Sequence, residues 1–282
     1  MLAESLRQAL AAGNSAVLVT VTGAQGSTPR EPGAAMLVTT DGIAGTIGGG
    51  ELEWRMIAKA RDMISGGEKS AAIDLPLGPE LGQCCGGRVA LALQAAGRET
   101  LARLEADEAA DVDTWPAVLI FGAGHVGRAL AAALSPLPLA VTVIDTRLDA
   151  VVGLPSNVDT INSALPEAQV RSAPAGSAFV IVTYSHGLDF TITEAALARD
   201  DAAYVGMIGS RSKRVQFERW FAGQGGDADR LGRLVMPIGG TIKDKRPAVI
   251  AATVAAELVG HLLGESAGES KSGLSHNIAD TG

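Results

Sequence analysis

An α/β fold in two parts is expected: an α+β domain first, then a doubly wound parallel-sheet domain. Three observations predict it. The chain has 282 residues, 47% of them hydrophobic and 19% charged, enough for roughly two domains with their own cores. Strand-like and helix-like segments alternate regularly after residue 117, as in a parallel sheet covered by helices. Before it, strands cluster between two or three helices, without that alternation.

In the first part, Leu2, Leu6 and Leu10 recur every four residues and predict an opening helix, stopped by Gly13 and Asn14. Segments 16–22 (AVLVTVT), 35–39 and 43–47 read as strands, with Asp41-Gly42 as a turn. Leu52, Met56, Ala60, Met63 and Ile64 mark one face of a helix over 51–64. Residues 71–77 and 88–93 are further strands, and 101–108 is a polar helix. The acidic, unpatterned stretch 109–116 is the expected linker, so the domains are 1–108 and 117–264. Residues 265–282 are Gly, Ser and charge, which predicts a disordered tail.

In the second part, strands are expected at 118–121, 140–144, 179–183 and 203–208. Helices are expected at 126–134, 189–198, 213–221 and 247–263, the last opened by Pro247.

Composition excludes several functions. With 23 basic and 31 acidic residues the net charge is −8, and no basic block suits a nucleic acid. The first ten residues lack a signal-peptide core, and no apolar run approaches the roughly 20 residues of a membrane span. The two cysteines, Cys84 and Cys85, are adjacent, a poor geometry for a disulfide, so a reducing cytoplasm is expected.

Four segments carry chemistry. Residues 118–130 read VLIFGAGHVGRAL, placing Gly122, Gly124 and Gly127 in G-x-G-x-x-G between a strand and a helix. The first glycine permits the turn, the second lets backbone approach a diphosphate, and the third lets helix pack on strand. Asp145 ends the next strand 18 residues beyond Gly127, near the spacing of an acid that grips ribose hydroxyls. A Rossmann fold follows, with a nucleotide as candidate ligand; Arg147, close behind, leaves NAD against NADP open. His125 is expected in the same cleft. His186, after the strand at 179–183, is a candidate base or ligand contact beside Asp189, which could equally cap the next helix. Arg211, Lys213 and Arg214 could hold a phosphate or form a solvated turn.

The other three segments lie in the first part. Ser27-Thr28-Pro29-Arg30 sets a guanidinium in a rigid turn, suited to phosphate or a planar polar ring. Gly48, Gly49 and Gly50 precede a helix and could cradle an anion with backbone N–H groups. Glu53 could carry a proton there, while Glu51 reads as a first-turn acid answering the helix dipole. Gln83 to Gly87 (QCCGG) offers an accessible thiol able to reach a soft metal; Cys85 is the candidate and Cys84 reads as inert.

Taken together, GSTPREPGAAMLV (26–38), GTIGGGELE (45–53), QCCGG (83–87), FGAGHVGRAL (121–130), VID-x-R (143–147), YVGMIGSRSKR (204–214) and PIGGTIKDKRPAVIAATVAAEL (237–258) resemble the xanthine dehydrogenase accessory protein family (XdhC/CoxI). The likeness spans nearly all of residues 1–264. Many members carry a cysteine in the triple-glycine loop, where this chain has Gly50 then Glu51, leaving the Cys85 loop as the thiol site. The resemblance implies a maturation factor rather than a metabolic enzyme. Such a factor binds the molybdenum cofactor in its molybdopterin form, holds it while a cysteine desulfurase supplies the terminal sulfur, and delivers it to apo xanthine dehydrogenase. Arg30 and the glycine loop would then hold phosphate or pterin, and Cys85 thiolate would contact molybdenum. Two other readings stay open: an NAD(P)-dependent oxidoreductase, and a scaffold between desulfurase and dehydrogenase. A homodimer is compatible with the sequence.

Overall fold

The structure is a computed structural model that describes residues 2–78, 86–240 and 243–264. The expected tail, Cys84 and Cys85 lie outside the described residues. The chain divides into two compact units, Met1–Asp113 and Thr114–Gly282.

The first unit is a five-stranded antiparallel sheet between helices. Its elements are α1 (Leu2–Ala11), β1 (Ala16–Gln25), β2 (Ala35–Thr39), β3 (Ile43–Gly45), α2 (Gly50–Gly66), β4 (Ser70–Pro76), β5 (Arg88–Ala96) and α3 (Arg98–Val112). The strand order is β3-β2-β1-β5-β4. Side chains alternate across a strand, so β1 is hydrophobic on both faces because both are covered. Val17, Val19 and Val21 pack with Leu52, Met56 and Met63 of α2. Ala16 and Leu18 pack with Leu6 of α1 and Leu104 of α3.

Several boundaries differ from expectation by a few residues, among them the ends of β3 (Gly45, expected 47) and β5 (Ala96, expected 93), and two differences matter most. Strand β1 continues to Gln25, because residues 23–25 pair with Arg88–Ala90 past a register shift between Val21 and Gly23. Helix α3 runs to Val112, through residues 109–112 of the expected linker. Its Ala- and Glu-rich sequence has high helix propensity but, with Leu104 its single buried residue, little amphipathic signal.

The second unit comprises β6 (Ala117–Phe121), α4 (His125–Leu134), β7 (Ala140–Asp145), β8 (Asp159–Asn162), α5 (Glu167–Ser172), β9 (Ala178–Ile181), α6 (His186–Leu197), β10 (Tyr204–Met207), α7 (Arg211–Gly223), β11 (Leu234–Val235) and α8 (Pro247–Leu262). All six strands are parallel, in the order β8-β7-β6-β9-β10-β11. Numbered within the unit this is 3-2-1-4-5-6, the doubly wound order of the Rossmann fold. One face of the sheet, with Val118, Ile120 and Val143, packs on Leu130 of α4 and Val254 of α8. The other, with Phe121, Phe179 and Met207, packs on Ile192 of α6 and Phe217 of α7. Strand β8, helix α5 and the two-residue β11 were not anticipated. Three of the four side chains of β8 are solvent-facing, so it carries no hydrophobic pattern.

Among the described residues no helix is long and apolar enough to cross a membrane.

Candidate functional site

In the second unit the strand order reverses between β6 and β9, and the crevice beyond their carboxyl ends is where open α/β sheets bind ligands. The fingerprint loop lies there. Gly122 has φ 112°, and a Cβ on it would meet the Val182 carbonyl oxygen at 2.5 Å. A Cβ on Gly127 would lie 1.8 Å from the Gly122 oxygen, so α4 packs directly against the turn. A Cβ on Gly124 would meet nothing within 4 Å. That open position is the N-cap of α4, which has no side-chain cap, so its first N–H groups are available to an anion.

Asp145 is buried and braces this loop. Its Oδ2 accepts from Ala123 N at 2.7 Å and from Arg147 Nη2 at 2.9 Å. Its Oδ1 accepts from the Arg147 N and Nε, both at 2.9 Å. Burial pushes its pKa up, but the bonds from Arg147 and Ala123 outweigh that and hold it below the ordinary carboxylate value. The Arg147 guanidinium lies 4.8 Å from the Tyr184 ring centroid. Arg128 gives Nη1 to the Ala150 carbonyl and Nη2 to that of Val152, fixing the turn after β7.

These residues border a cleft of about 540 Å³ lined by Gly124, His125, Arg128, Arg147, Thr183 and Tyr184 among others. His125, the first residue of α4, is exposed in it. His186, the first residue of α6, is exposed and stacks on Phe190 at 6.4 Å and 19°; it does not line the cleft. Asp189 is buried, and its Oδ1 accepts from Thr183 N at 3.0 Å and Thr183 Oγ1 at 2.7 Å. Its Oδ2 accepts from buried Lys213, which also donates to the Ile208 carbonyl at 2.9 Å. Asp189 is therefore a brace rather than a helix cap. The three cations read as a phosphate grip separate: Lys213 is sealed in this pair, and Arg214 is engaged by Glu218 and the Met236 carbonyl. Arg211 is exposed at the start of α7.

In the first unit, Gly48, Gly49 and Gly50 have φ of 127°, 79° and 65°, a run that only glycine adopts without strain. Gly49 is the N-cap of α2, again with no side-chain cap, and a Cβ on it would meet nothing within 4 Å. Glu53, one turn into α2, reaches back to the loop. Its Oε1 accepts from the Thr46 hydroxyl and from Ile47 N at 3.0 Å. Partial burial raises its pKa, but bonds from Thr46 and the N–H groups of Gly49, Ile47 and Gly48 prevail and lower it. Glu53 thus shapes the loop. Glu51 pairs with Arg55 at 3.0 Å on the exposed side of α2.

One other motif meets this loop, and a third meets that one. A Cβ on Gly48 would lie 2.6 Å from Pro29 Cγ and 3.5 Å from Arg30 Cγ, so the Pro29-Arg30 turn rests on the glycine backbone. Arg30 is exposed, borders an open hollow of about 530 Å³, and makes no ion pair among the described residues. Gly86 bridges to Ser27, and a Cβ on Gly87 would be 2.3 Å from the Ser27 oxygen. The segment just after the cysteines is therefore held against the start of the Ser27–Arg30 turn. Cys85, the thiol candidate, lies outside the described residues. Among the described residues no group of three His, Cys, Asp or Glu could hold a metal ion.

Sequence reasoning passed over two aromatic residues. Trp54 is 75% exposed one turn into α2, off the Leu52–Met56 stripe, and that phase is the signal that marks it as outward-facing. Tyr184 is 64% exposed at the cleft mouth; its place after a parallel strand was its signal.

An antiparallel unit with a glycine loop at the start of α2, followed by a Rossmann unit with a second glycine loop at the start of α4, defines a two-unit α/β protein. Residues 118–258 match the family described as the XdhC Rossmann domain, and residues 9–74 match the XdhC and CoxI family. The chain belongs to the XdhC and CoxI family. It is 26% identical over 241 residues to an Escherichia coli protein described as uncharacterized protein YqeB, covering 82% of this chain but 40% of that protein. A crystal structure from Bacillus halodurans, described as a xanthine dehydrogenase, shares the fold with a TM-score of 0.72 at 19% identity. The match covers 95% of this chain and 98% of that one.

Proposed function

We propose that this chain is a cytoplasmic maturation factor for a xanthine dehydrogenase-type enzyme. It holds the molybdopterin form of the molybdenum cofactor while a cysteine desulfurase supplies sulfur, and then passes it to the apo-enzyme. The observation that carries this reading is the convergence of three motifs in the first unit: the Gly48–Gly50 loop touches the Pro29-Arg30 turn, and Gly86-Gly87 is seated on Ser27. Family membership supplies the class of target.

The residues fit the group. The uncapped N-terminus of α2, with open space at Gly49, suits the cofactor's phosphate. Arg30, exposed beside the same loop and lacking an ion-pair partner among the described residues, adds a planar cation for phosphate or the pterin ring. Glu53 takes the N–H groups of Ile47, Gly48 and Gly49 and so fixes the loop's shape, leaving the phosphate to the first N–H groups of α2 itself. Cys85 thiolate is the proposed soft ligand. Bound here, the cofactor offers a soft molybdenum centre able to take a terminal sulfur.

The test is activation of apo xanthine dehydrogenase by the full chain together with a desulfurase. Wild type activates, Cys85→Ala and Arg30→Ala fail or retain a small fraction, and Lys59→Ala, on an exposed ion pair of α2, is unaffected. Full activation by both site variants would refute the reading.

A further inference from the structure

The Rossmann fingerprint raises a question that the fold alone does not answer: which nucleotide suits this cleft. In a diol-reading site the acid at the end of the second strand accepts hydrogen bonds from ribose hydroxyls. A carboxylate has about four lone-pair sites. In Asp145 all four are taken: Ala123 N and Arg147 Nη2 on Oδ2, Arg147 N and Nε on Oδ1. Its side chain is 2% exposed. A ribose diol arriving here finds no acceptor.

It finds a cation instead. The Arg147 side chain is half exposed, borders the cleft and lies over Tyr184. Asp145 uses its Nε and one N–H of Nη2, which leaves three of five guanidinium donors. Arg128, the other arginine of the cleft, gives one N–H of each terminal nitrogen to the Ala150 and Val152 carbonyls, which tie its guanidinium to the turn after β7 rather than beside Asp145. Arg147 is thus the cation placed to receive a ligand group where the diol would otherwise be read.

We propose that the cleft binds an adenine nucleotide phosphorylated on its ribose, of the NADP class, with Arg147 as the specificity-determining residue. The ribose phosphate takes the free donors of Arg147 in charge-assisted bonds. The 5′-phosphates lie against the open Gly124 position and the first N–H groups of α4. Asp145 fixes Arg147 and the loop and makes no ligand contact. This inference concerns the second unit alone, so its failure would leave the cofactor proposal standing.

The test is isothermal titration of the full chain with NADP⁺, NAD⁺, 2′,5′-ADP and 5′-AMP at one ionic strength. NADP⁺ and 2′,5′-ADP should bind about tenfold or more tightly than their unphosphorylated counterparts. In Arg147→Gln that preference should vanish while NAD⁺ binding holds or improves, because Asp145 regains free lone pairs. Equal affinities, a preference for NAD⁺, or no binding of any of the four by wild type would overturn the proposal. A preference that survives in Arg147→Gln would overturn the role of Arg147.

Discussion

The two glycine loops, one in each unit, solve the same problem by different means. Both join a strand-side turn to a helix whose N-cap is a glycine with open space at its Cβ position, Gly49 in one and Gly124 in the other. Both are shaped by a carboxylate that accepts a loop N–H. In the first unit that acid is Glu53, local in sequence and half-buried, and the loop bends through three successive positive-φ glycines. In the second it is Asp145, delivered by the neighbouring strand and sealed from water, while the loop is wedged by contacts of Gly122 and Gly127. The first loop is held by its own backbone chemistry, the second by the sheet behind it. Mutations should therefore cost more around the second.

The largest effect is expected behind that second loop. Lys213→Ala leaves Asp189 buried and uncompensated, and should destabilise the unit by about 3–5 kcal/mol in denaturant unfolding; a cost below about 1 kcal/mol would show that the brace is dispensable. Asp145→Ala orphans the Ala123 N–H and frees Arg147, at about 2 kcal/mol. Glu53→Ala, whose partners can turn to water, should cost about 1 kcal/mol or less. A larger loss for Glu53→Ala than for Asp145→Ala would reverse the comparison.

Acid should affect both loops in one direction. Each carboxyl has a folded pKa below its ordinary value. Each then contributes stability that is complete above the unfolded pKa of about 4 and is lost as pH falls through the lower folded value. Melting temperature followed from pH 6 to pH 3 should fall less in Asp145→Asn and Glu53→Gln than in wild type. The smallest effect on stability belongs to Gly124→Ala: its φ of −73° and open Cβ position predict an unchanged melting temperature, with nucleotide affinity reduced.

The same contrast explains what could be read from the residues. The G-x-G-x-x-G turn, the β6 and β7 runs and the α2 stripe announce themselves locally, because periodicity and glycine spacing are local signals. Asp145 was legible as an acid at the right spacing. That Arg147 would fill its lone pairs was not, because a bidentate pair depends on backbone direction at the end of β7. The basic run 211–214 looked like one patch; helical geometry put Lys213 inside and Arg211 outside. Strand β8 owes its place to the sheet edge it completes, and the six-residue helix α5 to the single buried Val170, rather than to a hydrophobic pattern. The meeting of Pro29 with Gly48 and of Ser27 with Gly87 joins segments distant in sequence, which no local pattern encodes.

The central claim is that the first-unit loop, and not the second, holds the molybdenum cofactor. Its most direct test is molybdopterin and molybdenum content of the full chain purified after co-expression with molybdenum cofactor synthesis, for wild type, Arg30→Ala and Gly124→Ala. Wild type and Gly124→Ala should carry molybdopterin at comparable occupancy, and Arg30→Ala should carry little. Cofactor absent from wild type, or lost in Gly124→Ala but kept in Arg30→Ala, would contradict it.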